Sequence, residues 1–141
     1  MEHNHKHIIA TGFIDVAPAA QDIEKINAWF CQLVDAIGMK ILIPPKTVYS
    51  DTVGNEGATG ICCIDTSHSS IHFWAKSNLH DRPFFKFDLY SCRDFSTDTI
   101  IEFAKKLGAT RFVYTVIDRN DDYNPIIESG EWVLEKEEAY V

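Results

Sequence analysis

The stretch from Gly60 to Trp74 constrains the fold more than any other part of the chain. It opens with an apolar run, Gly60-Ile61-Cys62-Cys63-Ile64, and passes through a polar, hydroxyl-rich segment, Asp65–Ser70. It closes on an alternating run in which Ile71 and Phe73 share one face and Ser70, His72 and Trp74 the other. Two strand-like runs around a short turn predict a β-hairpin. The turn carries Ser67, Ser69 and Ser70 with His68 and His72 close by. Such a turn can place a nucleophile beside a base. It can equally be a hairpin end whose hydroxyls satisfy their own backbone.

The flanking sequence supplies further strands and two helices. Ile8, Ile9, Phe13, Ile14 and Val16 predict a first strand over His7–Val16. Pro18 suits the opening of a helix. Ile23, Ile26, Phe30, Leu33, Val34 and Ile37 recur at helical spacing up to a stop at Gly38. Lys40–Ile43 reads as a short strand ended by Pro44-Pro45, and Lys46–Ala58 as a mobile loop. Thr59–Ile64 follows as a strand whose unbroken apolar run predicts burial on both faces, with Cys62 and Cys63 pointing to opposite sides. Phe84–Cys92 is a strand with Phe87 and Leu89 on one face and Lys86, Asp88, Tyr90 and Cys92 on the other. Pairing of this strand with Ser69–Trp74 would allow the His72 and Cys92 faces to coincide. Ser96 is a candidate cap for a second helix ending at Gly108. Arg111–Ile117 and Gly130–Leu134 complete the strands, and Glu135–Glu138 is a charged tail. The pattern predicts one α+β domain over 1–141: an antiparallel sheet with two helices packed on one face, a two-layer sandwich.

Charge and composition narrow the function. With 45% hydrophobic and 12% aromatic residues the chain is not disordered. A formal net charge of −8 lacks the basic footprint that nucleic acid requires and favours cationic small molecules instead. No apolar run approaches membrane-spanning length and MEHNHKH is no signal peptide, so the expected location is cytoplasmic, with no membrane partner. Cys31, Cys62, Cys63 and Cys92 have neither zinc-site spacing nor scaffold density and are expected to be reduced. His3, His5 and His7 would share one face of a strand and so offer metal ligands, but a frayed terminus explains them as well.

The run Ser67-His68-Ser69-Ser70-Ile71-His72-Phe73-Trp74 resembles the processing site of the prokaryotic S-adenosylmethionine decarboxylase proenzymes. There a Ser-His-x-Ser-Ile-His-x-Trp run follows a short apolar strand. A second family element, Asp, two apolar or aromatic residues, a hydroxyl and Cys, matches Asp88-Leu89-Tyr90-Ser91-Cys92. The resemblance extends more thinly from about His7 to Asp118.

This resemblance implies a pyruvoyl-dependent decarboxylase that makes its cofactor from its own serine. Ser67 Oγ would attack the carbonyl of Thr66, turning the amide into an ester. Elimination would then cut the chain into 1–66 and 67–141 and leave a ketone at position 67. A substrate amine would condense with that ketone as a Schiff base, the electron sink that decarboxylation needs. By the same resemblance, His72 assists processing as a base. Cys92 protonates the decarboxylated carbon, Thr59 stands where the family commonly has a processing serine, and Trp74 stacks on the nucleoside. No metal ligand and no role for His68 is implied. The partners implied are a small-molecule substrate and a second protomer, in a homodimer with sites near the interface.

The departures are specific. Thr66 replaces the usual Glu before the cleavage serine, although the attacked group is a backbone carbonyl. Trp74-Ala75-Lys76 replaces Trp-Pro-Glu, putting a cation at the substrate-binding position 76, and Lys76–Lys86 is longer than usual between the two motifs. They motivate two alternatives: a pyruvoyl decarboxylase of arginine or ornithine, and a non-cleaving relative that binds a nucleoside without catalysis. A metal-binding protein using His3, His5 and His7, or His68 and His72, gains nothing from the resemblance.

Overall fold

The computed structural model describes residues 2–135. In chain order the elements are β1 (Lys6–Ile14), α1 (Ile23–Ala36), β2 (Ile41–Ser50), β3 (Gly57–Ile64) and β4 (Ser67–Trp74). They continue as β5 (Phe84–Ser91), α2 (Thr97–Lys106), β6 (Ala109–Asp118) and β7 (Ile126–Val133). All seven strands form one sheet in the order β2-β3-β4-β5-β1-β6-β7, and every pairing is antiparallel. The expected α+β sandwich is the observed architecture.

Alternation decides which face of the sheet is covered. Ile8 and Ala10 of β1, Ile71 and Phe73 of β4, Phe85, Phe87 and Leu89 of β5, and Phe112 and Val116 of β6 are buried on one side. They meet Ile26, Trp29, Phe30, Leu33 and Val34 of α1 and Ile100, Phe103 and Ala104 of α2 in a single core. Full burial of one such side chain contributes about 1.5–3 kcal/mol. The Trp29 indole N–H donates to the Phe103 carbonyl at 2.9 Å and ties the two helices together. α1 lies over β2 and β3, and α2 over β6. The opposite face of the sheet carries no helix among the described residues.

The sequence reading needs correction at four places. Pro18 does not open α1; a short 3₁₀ turn, Ala20–Asp22, precedes it, with the Ala19 amide donating to the Asp22 carboxylate at 2.8 Å. Pro44-Pro45 does not end β2. The strand continues to Ser50, so the loop shrinks to residues 51–56. β2 is an edge strand whose register shifts at Ile43 and again before Lys46, and edges and bulges are where a strand tolerates residues without an N–H. β3 is buried on one face only: Ala58, Cys62 and Ile64 are covered, whereas Ile61 is 55% exposed. β7 starts at Ile126, four residues earlier than expected, and runs through Ser129-Gly130. Gly130 is there for close approach, since a Cβ at this position would collide with the Tyr114 hydroxyl. The last residues of the charged tail, 136–138, lie outside the described residues.

Gly57, at the start of β3, has a stricter requirement. A Cβ there would overlap the backbone carbonyl of Phe73 on β4, which cannot swing aside as a side chain can. Gly57→Ala is therefore expected to destabilise the fold by about 1–3 kcal/mol or more, read as a lower denaturant midpoint. An unchanged midpoint would show that the β3–β4 contact is not as tight as described.

Candidate active site

β3 and β4 form the hairpin expected from Gly60–Trp74, but Ser67, Ser69 and Ser70 lie within β4 and not in the turn. Ile64 pairs with Ser67, so Asp65 and Thr66 are the two loop residues and the Thr66–Ser67 bond sits where β4 begins. Ser67 shares the parity of Ser69, Ile71 and Phe73 and faces the helix side, with 9% of its surface exposed. Among the described residues, Ser67 Oγ is the only buried side-chain nitrogen or oxygen without a hydrogen-bond partner. Leaving a buried hydroxyl unpaired costs about 1–3 kcal/mol. Its neighbour Ser69 shows the ordinary solution, donating to the Asp88 carbonyl at 2.7 Å.

Cys92 joins this end of the sheet. It lies one residue beyond β5, is fully buried, and its Sγ donates to the Asp65 carbonyl at 3.2 Å. The thiol therefore rests against the turn that precedes Ser67, brought there by the pairing of β5 with β4.

Thr59 and His72 form a second group at the other end of the hairpin. They are register partners across β3 and β4, and Thr59 Oγ1 is hydrogen-bonded to His72 Nδ1 at 3.1 Å. The Trp74 ring is 6.1 Å from that of His72 and stacks on Phe84 at 5.0 Å. Its indole N–H donates to Asn55 Oδ1 at 2.8 Å, fixing the ring against the 51–56 loop. Lys76 is exposed in the loop after β4. It borders a groove of about 520 Å³ shared with Gly54, Glu56, Ser77, Asn78 and Asp81.

The two groups do not meet within one chain. Ser67 and His72 are five residues apart, so a continuous strand puts their side chains on opposite faces. At roughly 3.3 Å per residue they are also about 16 Å apart along β4. His72 opens instead onto a shallow cleft of about 410 Å³ on the helix-free face, lined by Ile9, Thr11, Ser70, Lys86 and Asp88 among others.

A third group on that helix-free face escapes any reading of sequence spacing. His7 Nε2 lies 2.8 Å and His68 Nε2 3.5 Å from Asp88 Oδ2, and Ser70 Oγ donates to Asp88 Oδ1. Arg119 donates to His7 Nδ1 at 2.8 Å and stacks over Tyr90. Burial raises the Asp88 pKa, but the hydrogen bonds from His7 and Ser70 outweigh it and hold the carboxyl below its ordinary value. The one usable signal was that Asp88 falls on the mixed face of β5.

The family model for S-adenosylmethionine decarboxylase matches residues 6–120, from the first residue of β1 to just past β6. The chain belongs to the S-adenosylmethionine decarboxylase family. The matched span holds both candidate groups, Ser67 with Cys92 and Thr59 with His72, and leaves residues 1–5 and everything from 121 onward, including β7, outside it. No curated relative matches the chain. Membership in this decarboxylase family supports a decarboxylase-type activity with S-adenosylmethionine as the substrate class. No described helix is long and apolar enough to cross a membrane.

Proposed function

We propose that the chain is a self-processing, pyruvoyl-dependent decarboxylase of S-adenosylmethionine, an activity that feeds polyamine synthesis. The observation that carries this reading is the unpartnered, buried Ser67 hydroxyl beside the turn, at the serine of the family's processing motif. A hydroxyl with no competing hydrogen bond is free to turn toward the preceding carbonyl. Attack by Ser67 Oγ on Thr66 C converts the amide to an ester. Loss of the Cα proton of residue 67 then expels the carboxylate of Thr66 and frees 1–66 from 67–141. Uptake of water and release of ammonia leave the ketone.

The residues around position 67 fit the group so formed. The site is buried, the Cys92 thiol lies against the same turn, and a small ketone replaces a small hydroxyl. The pyruvoyl group supplies the electron sink for decarboxylation. Cys92 Sγ is the proton source for the carbon that loses carbon dioxide. Thr59 and His72 hold and move the processing proton, with Thr59 Oγ1 orienting the imidazole through Nδ1.

Because Thr59 and His72 lie on the far end and the opposite face, we infer that a second copy supplies them to each Ser67. The functional unit is then a homodimer. Mixing tests this: with Ser67→Ala chains, which cannot process, and His72→Ala chains, which process slowly or stall, co-refolding would restore prompt cleavage of about half the serine-bearing chains. Absence of any cleavage in the mixture, with both variants folded, would return the site to a single protomer.

The activity is tested by incubating the purified chain with S-adenosylmethionine, arginine and ornithine and measuring released carbon dioxide and product amine. Turnover of arginine or ornithine alone would favour the second reading, which rests on Lys76 standing where the family has an acid. Simple charge complementarity predicts that Lys76→Glu improves S-adenosylmethionine turnover several-fold, since one charge pair at about 4 Å is worth about 1 kcal/mol in water. Unchanged kinetics in an active enzyme would remove Lys76 from the substrate site.

A further inference from the structure

We propose that His7, His68 and Asp88 form a binding site for a divalent transition-metal ion such as zinc, on the helix-free face and separate from Ser67. His7 and His68 are the register partners of Tyr90 on the two strands flanking β5, and Asp88 is two residues away on the same face of β5. Three adjacent strands thus fix the three side chains, so little backbone order remains to be lost on binding. The ligand atoms of the three residues lie within 4.8 Å of one another. The 2.8 and 3.5 Å separations bracket the edge of about 3.3 Å expected between ligands in a tetrahedral site with bonds near 2.0–2.1 Å. Two imidazoles and one carboxylate suit zinc, cobalt, nickel or copper better than magnesium or calcium, which prefer all-oxygen sites. His7 and Asp88 are largely shielded, with 13% and 23% of their side-chain surface exposed, while His68 at 51% leaves an approach from solvent.

Arg119 sets the terms of entry. A guanidinium only donates hydrogen bonds, so its contact with His7 Nδ1 leaves the ring proton on Nε2, where it is given to Asp88. A metal needs that Nε2 lone pair. Binding therefore moves the ring proton from Nε2 to Nδ1, breaks the Arg119 contact, and inserts the ion between His7 and Asp88. No oxidation or bond cleavage accompanies the exchange. Arg119 also places a positive charge beside the site, so it competes with the ion on both counts.

The test is calorimetric titration of zinc chloride into chelator-treated, tag-free protein, run on wild type and on the Ser67→Ala chain so that cleavage does not bear on the outcome. The site predicts one zinc ion per chain and at least tenfold weaker binding in His68→Ala and in Asp88→Asn. It predicts tighter binding in Arg119→Ala. His68 is half-exposed, so its alanine variant should fold, and thermal melting without zinc checks both. The rival location is the terminal pair His3 and His5, whose rings stack at 5.1 Å. A His3→Ala/His5→Ala variant should therefore keep the ion. Absence of zinc binding by wild type overturns the proposal. So does unchanged affinity in folded His68→Ala and Asp88→Asn, or loss of the ion on removing His3 and His5.

Discussion

Ser67→Ala is expected to remain a single chain, while the wild type separates into 1–66 and 67–141. The difference is all or none, because the reaction has no other nucleophile: Ser69 spends its hydroxyl on the Asp88 carbonyl and Ser70 on the Asp88 carboxylate. Holding a nucleophile against its target can lower a barrier by about 7–11 kcal/mol in well-oriented cases. The hairpin supplies such a hold, since Ser67 is fixed by its pairing with Ile64 while Thr66 remains in the two-residue turn. His72→Ala should process slowly or stall. Intact mass recorded over days at neutral pH reads both results. A wild-type chain that stays whole, with no decarboxylase activity, would remove the pyruvoyl mechanism and leave a nucleoside-binding relative as the better reading.

Cys92→Ala is expected to fold, to self-cleave, and to lose about 10²–10⁴ of its turnover, the range spanned by a positioned general acid. A thiol used only for packing would give another result. Its removal from a fully buried site would lower the melting temperature while each folded molecule kept its rate. Turnover per folded, ketone-bearing chain separates the two, with carbonyl content measured by hydrazide labelling. Normal turnover in a folded Cys92→Ala enzyme would defeat the proton-donor role.

The local features of the fold were legible because they are periodic. The alternation of Ile71 and Phe73 against His72 and Trp74, the helical spacing from Ile23 to Val34, and the glycine after each helix all report one element at a time. Pro44-Pro45 misled because proline signals a missing donor, and an edge strand needs donors on one side only. The start of β7 was not legible because Ile126–Ser129 are all exposed, so no alternation of buried and open positions marks them. The separation of Ser67 from His72 was readable from their odd spacing once β4 is continuous through both. The histidine–aspartate group was not readable, because His7 and Asp88 are 81 residues apart and meet only through the β1–β5 register.

The order of the strands has a consequence for a chain that is to be cut after Thr66. The first piece would own β1, α1, β2 and β3, and the second β4, β5, α2, β6 and β7. They would not lie side by side as two halves. β1 of the first piece is inserted between β5 and β6 of the second, and β3 borders β4, so three backbone ladders cross from one piece to the other. The strand nearest the start of the chain acts as a tongue in a groove. Severing one peptide bond at the hairpin tip removes none of these seams, so self-cleavage can create a new chain end at Ser67 while the two polypeptides stay locked as one body.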